Sequence, residues 1–95
     1  MRNYELTFIV PSDVTDEDLN GVVTQVQGWV ESSQGKVNKI DHWGRRRLAY
    51  NIAEYREGHY VALNLELNPQ ATMELERNLK LSDRVLRYLL VRQDE

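Results

Sequence analysis

Apolar and polar residues alternate with the period of two of a half-buried strand in three stretches of the chain. Two other stretches repeat their apolar residues every three to four positions, as a helix lying on a core does. Tyr4, Leu6, Phe8 and Val10 alternate with mostly polar neighbours and predict a first strand over residues 2–10, ended by Pro11-Ser12-Asp13. Leu19, Val22, Val23, Val26 and Val30, with Trp29 beside them, form one helical stripe. Thr15 followed by Asp18 reads as a capping box, and Asp16, Glu17 and Asp18 suit the positive end of a helix dipole. A helix is therefore predicted over about residues 16–33, with Gly35 as its stop.

Lys36 to Ala53 is long and mostly extended, and its alternation breaks at Trp43-Gly44, where a bulge is expected. Glu57-Gly58 reads as the following turn, and Val61, Leu63, Leu65 and Leu67 then mark a third strand over residues 59–67. Asn68-Pro69 opens a second helix over about residues 70–80, with Ala71, Leu75 and Leu79 as its buried stripe. Residues 85–92 give the last strand, with Tyr88 and Leu90 on one side. The order βαββαβ, with right-handed crossovers, predicts a single α+β domain over residues 1–95. It is a ferredoxin-like two-layer sandwich: an antiparallel four-stranded sheet of order 4-1-3-2 with both helices on one face. The expected core is Leu6, Phe8, Val23, Val26, Val30, Val61, Leu63, Leu65, Leu75, Leu79, Tyr88 and Leu90. The sheet's other face is expected to be open, with Ile9 and Tyr60 in want of a cover.

Composition narrows the function classes. The chain has 95 residues and no cysteine, which excludes disulfides, thiol nucleophiles and Cys-based zinc sites. No apolar run approaches the roughly 20 residues of a membrane span, and the first residues lack a signal core, so a soluble intracellular domain is expected. The net charge of −3 hides strong segregation. Residues 36–56 hold six cations against two acids, and residues 77–92 hold five against one, while the intervening stretches are acidic. Nine of the twelve cations are Arg, whose planar fork suits phosphate. Two basic segments in an acidic chain point to directed binding of a polyanion; two solvated faces laced with ion pairs are the alternative.

Catalytic chemistry finds little support. His42 and His59 lie on separate strands without metal-ligand spacing, the carboxylates at 16–18 belong to a helix start, and no serine sits in a nucleophile elbow. No cofactor, metal or small-molecule substrate is expected. Acylphosphatases are similar in size and strand order, but their glycine-rich, Arg-bearing loop corresponds here to Val10-Pro11-Ser12-Asp13-Val14, which is acidic and lacks both residues. RNA-recognition domains share the topology and stack bases on sheet aromatics; here the third strand offers only Tyr60 outward and lacks the Lys/Arg-Gly-Phe signature. A dimeric ligand-sensing module is a third class the fold permits.

The run Trp43-Gly44-Arg45-Arg46-Arg47-Leu48-Ala49-Tyr50 resembles the signature of ribosomal protein six of the bacterial small subunit. The opening Met1-Arg2-x-Tyr4-Glu5 is similar to the same family, as are Gly58-x-Tyr60, Glu74-Leu75-Glu76-Arg77, Val85-Leu86-Arg87 and Val91-Arg92. The resemblance covers nearly the whole chain. It implies the fold already read from periodicity and a structural role without catalysis. It also implies binding to the central domain of small-subunit ribosomal RNA as a heterodimer with ribosomal protein eighteen. A cytoplasmic ribosome is the implied location, with an organelle-encoded form left open. Two features depart from the family. Asn51 stands where many members have Pro, which restores a backbone N–H. The chain ends at Glu95 without the long acidic tail of some relatives, so addition of glutamates is not expected.

The charge pattern and the resemblance together name Arg2, Arg45, Arg46, Lys80, Arg84, Arg87 and Arg92 as contacts to phosphate and sugar, converging on one surface. Trp43, Leu48, Tyr50 and Tyr60 are expected to meet the protein partner near an exposed sheet edge. Arg56 and Arg77 are read as surface ion-pairing residues.

Overall fold

The computed structural model describes residues 1–93; the terminal acids Asp94 and Glu95 lie outside the described residues. Its elements are β1 (Arg2–Pro11), α1 (Asp16–Ser32), β2 (Lys36–Ile52), β3 (Tyr55–Leu67), a 3-10 turn (Pro69–Ala71), α2 (Thr72–Leu81) and β4 (Arg87–Arg92). The sheet runs β2-β3-β1-β4, with β1 antiparallel to both β3 and β4, which is the predicted ferredoxin-like order. Tyr4, Leu6, Phe8 and Val10 of β1 and Val61, Leu63, Leu65 and Leu67 of β3 are buried on one face against Leu19, Val22, Val23, Val26 and Val30 of α1 and Leu75 and Leu79 of α2. Tyr88 and Leu90, placed in the core from sequence, are only partly buried, because β4 is an edge strand that the helices cover incompletely.

Local chemistry explains the helix ends. The Thr15 hydroxyl accepts from the Asp18 N–H at 3.1 Å, capping α1 as read from the sequence. At the other end, Gln34 rather than Gly35 takes the left-handed conformation (φ 66°). The Gln34 and Gly35 N–H groups donate to the carbonyls of Glu31 and Val30, a Schellman closure. Gly35 is needed for close approach instead: a Cβ there would stand 2.6 Å from the Glu66 carbonyl oxygen. At the start of the second helical segment Asn68 caps a 3-10 turn, its Oδ1 accepting from Gln70 N–H, and α2 follows from Thr72.

The β2–β3 hairpin departs from the sequence reading. Its turn is Ala53-Glu54, both at positive φ (50° and 68°) between the paired Ile52 and Tyr55, which is the signature of a type I′ turn. Glu57-Gly58 lies inside β3 instead. Gly58 is buried there because Ile9 crosses it: a Cβ would sit 2.4 Å from Ile9 Cγ2. β2 also changes register three times. Asn38 and Trp43 are extra residues, the latter beside Gly44 at φ 87°, as expected for a bulge. Between the pairs Arg47–Glu57 and Ile52–Tyr55, four residues of β2 stand opposite one of β3. This arch bends the end of the hairpin into an arm.

Candidate nucleic-acid and partner interface

Face assignment follows from register. Tyr60 and Gly58 of β3 point away from the helices, and they pair with Gly44 and Arg46 of β2. The single residue inserted at Trp43 shifts the alternation so that Arg46, not Arg45 or Arg47, faces the side without helices. There Trp43 stacks on Tyr60 with ring centroids 6.0 Å apart and planes within 7°. The Arg46 guanidinium lies 5.3 Å from the Trp43 ring centroid.

The arm reaches further. β2 and β4 are opposite edges of the sheet, roughly 14 Å apart at about 4.8 Å per strand. Yet Tyr50 of β2 lies with its ring centroid 5.4 Å from the Arg87 guanidinium of β4. The arch therefore folds the arm across the face expected to be open. Beneath it lies a cavity of about 450 Å³ floored by Thr7, Ile9 and Tyr60 and walled by Leu48, Ile52 and Leu89. Leu48, expected to be exposed to a partner, is instead buried as part of this wall, because the arch turns it inward. Trp43 and Tyr50 remain 42% and 58% exposed, and Leu89 and Val91 of β4 continue the apolar surface. The sequence reading missed Leu89 and Ile52 as lining residues; the alternation of Arg87, Leu89 and Val91 was the signal for the first.

The other cations lie elsewhere. Arg45 points to the helix side, where its guanidinium donates to the Ser12 carbonyl (3.1 Å) and pairs with Glu57 (3.8 Å). Beside it the Tyr55 hydroxyl donates to Asp13 at 3.1 Å, and this bond first, the Asp13 charge second, raises the phenol's pKa. These contacts lash the hairpin to the β1–α1 loop, and they leave that acidic loop no resemblance to a phosphate cradle. Lys80 and Arg87 line one gap between α2 and β4, and Arg84 stands in the loop joining those elements. Arg92 pairs opposite Tyr4, and Arg2 opposite Leu67, so both fall at the far end of the sheet with helix-side parity. The Tyr88 hydroxyl donates to Glu76 at 3.0 Å and ties β4 to α2; burial first and this bond second raise its pKa. The seven predicted cations thus form no single surface. Arg45 and Arg46 belong to the arm, while Lys80, Arg84, Arg87 and Arg92, with Arg2 near Arg92, follow the β4–α2 edge. His59, half-buried at the arm's base, has its Nε2 buried with no hydrogen-bond partner among the described residues.

Comparison with known proteins places this geometry. The sequence profile described as ribosomal protein S6 matches residues 3–92. The small ribosomal subunit protein bS6 of Moorella thermoacetica is 41% identical over the whole chain and 97% of its own length. That of Carboxydothermus hydrogenoformans is 37% identical over the whole chain and 99% of its length. The crystal structure of 30S ribosomal protein S6 from Thermotoga maritima superposes with a TM-score of 0.91 at 29% identity, covering 97% of this chain and 87% of that one. The C-terminal domain of the MgtC protein from Mycobacterium tuberculosis reaches a TM-score of 0.65 at 13% identity, a likeness of fold alone. The fold, its strand order and full-length sequence similarity agree, and the chain belongs to the ribosomal protein S6 family of the bacterial small subunit.

Proposed function

We propose that the chain, a structural and non-enzymatic constituent of the small ribosomal subunit, binds the central domain of small-subunit ribosomal RNA together with ribosomal protein eighteen, as a heterodimer. The supporting observation is the division of the surface. The arm presents exposed aromatic and apolar groups (Trp43, Tyr50, with Leu89 beside them), and the β4–α2 edge presents Lys80, Arg84, Arg87 and Arg92. The first suits a protein partner. The second suits phosphate, which fixes orientation on a folded RNA without reading bases. Arg2 extends that edge, and Arg46 borders the arm. Arg45 is committed to Ser12 and Glu57, so its part is to hold the arm.

The net charge of −3 sets the mechanism. Acids elsewhere on the chain oppose the phosphate field, so one basic edge alone gives weak attachment. A partner on the arm adds a second set of contacts and turns weak attachment into tight binding. Filter binding to a central-domain transcript tests this. Weak binding by the chain alone and strong, salt-dependent binding with ribosomal protein eighteen is the expected result. Equal affinity with and without the partner overturns the reading. A stable homodimer in sedimentation with no RNA retention would favour a self-associating module instead.

A further inference from the structure

The arm and the β4–α2 edge meet at one pair of side chains. Arg87 leaves β4 opposite Ile9 of β1, on the face without helices, and its guanidinium lies 5.4 Å from the Tyr50 ring centroid. Tyr50 is carried there by the arch of β2 and stays 58% exposed. The ring belongs to the surface assigned to the protein partner, and the cation to the edge assigned to RNA. A guanidinium resting on a ring keeps its in-plane N–H donors directed outward, where a phosphate oxygen can accept from them. In open water such a pair is weak, and it strengthens when water is excluded.

We infer that Tyr50 is a positioning residue through which a protein partner docked on the arm orders Arg87 for a phosphate at the β4–α2 edge; the inference rests on the reading that the chain binds RNA with a partner. Covering the exposed side of Tyr50 dries the Tyr50–Arg87 pair and holds the guanidinium in one rotamer. The partner then raises RNA affinity at this site without touching the RNA there. Linkage requires the converse: RNA held by Arg87 raises the affinity for the partner by the same factor.

The test compares the parent chain with Tyr50→Leu, Tyr50→Phe, Arg87→Ala and the double variant Tyr50→Leu/Arg87→Ala. Affinity for a central-domain transcript is measured with and without ribosomal protein eighteen, at a partner concentration shown by sedimentation to saturate each variant. In Tyr50→Leu the partner's enhancement of RNA affinity is expected to fall by roughly three- to tenfold, and Tyr50→Phe, which keeps the ring, restores it. The double variant loses no more than Arg87→Ala alone, as one joint broken twice. In the chain without partner, the Arg87 side-chain protons are shifted upfield by the ring, and Tyr50→Leu abolishes that shift. An undiminished enhancement in Tyr50→Leu, or losses that multiply in the double variant, overturns this inference while leaving the RNA reading standing. A parent chain that binds no RNA with the partner present overturns both.

Discussion

Ala53 and Glu54 hold a left-handed turn without the residues that favour it. Each non-glycine residue in that region costs roughly 1 kcal/mol, and the Asn-Gly dipeptide adopts it with little strain. Replacing Ala53-Glu54 by Asn-Gly is expected to raise stability by about 1 kcal/mol, read as a higher denaturant midpoint at unchanged slope. Gly58 shows the reverse case. The Gly58→Ala methyl would overlap Ile9 Cγ2, so a loss of about 1–3 kcal/mol is expected in the same measurement. The two cases explain one misreading. Glycine is read as a turn because turns demand it, but a strand crossed closely by a neighbour demands it too. Sequence alone shows the demand and hides its reason. Gly35 repeats the lesson: the chain turns at Gln34, and the glycine next to it clears a carbonyl of β3.

At the scale of elements, strands and helices with one buried face were readable from periodicity, because burial imposes it. β1, β3 and α1 fall within a residue or two of their predicted bounds apart from the start of β3, and Leu75 is 2% exposed in the predicted stripe. Leu75→Ala should cost roughly 2–5 kcal/mol by denaturant unfolding. β2 was readable only as a long extended segment, since each inserted residue resets its alternation and no buried face restores the count. The ties between elements were not readable at all, because they join residues far apart in sequence. Two of them predict pH dependence. Tyr55 and Tyr88 donate to Asp13 and Glu76, and both phenols titrate above the ordinary tyrosine value of about 10. A raised folded-state pKa lends stability that is complete below the ordinary value and is lost as pH climbs through the raised one. Alkaline unfolding should therefore set in earlier for the parent chain than its other groups dictate, and Tyr55→Phe/Tyr88→Phe should flatten that part of the pH profile.

At the scale of the molecule, the candidate site was half readable. Its candidate cations and aromatics were legible as residue types, but their division between an arm and an edge depends on register and on the arch. Neither leaves a mark in composition. The division makes a quantitative prediction. Four to five phosphate contacts along the β4–α2 edge correspond to a slope of about −4 in log affinity against log salt for the complex with the partner. Arg87→Ala should reduce that slope by about 1, whereas Arg45→Ala, whose guanidinium bonds the Ser12 carbonyl and pairs with Glu57, should weaken the arm and leave the slope unchanged.

The single residue inserted at Trp43 behaves like a frame in a message. Alternation along β2 assigns Arg45, Arg46 and Arg47 to their sides of the sheet only when that residue is left uncounted. Deleting Trp43 would remove the one residue there without a partner on β3, so Gly44, Arg45, Arg46 and Arg47 would keep their places opposite Tyr60, His59, Gly58 and Glu57, and the loss would be the indole stacked on Tyr60. A chain shortened by one residue at Trp43 should therefore fold with Arg46 still on the bare side of the sheet, its defect confined to the aromatic stack beneath that guanidinium.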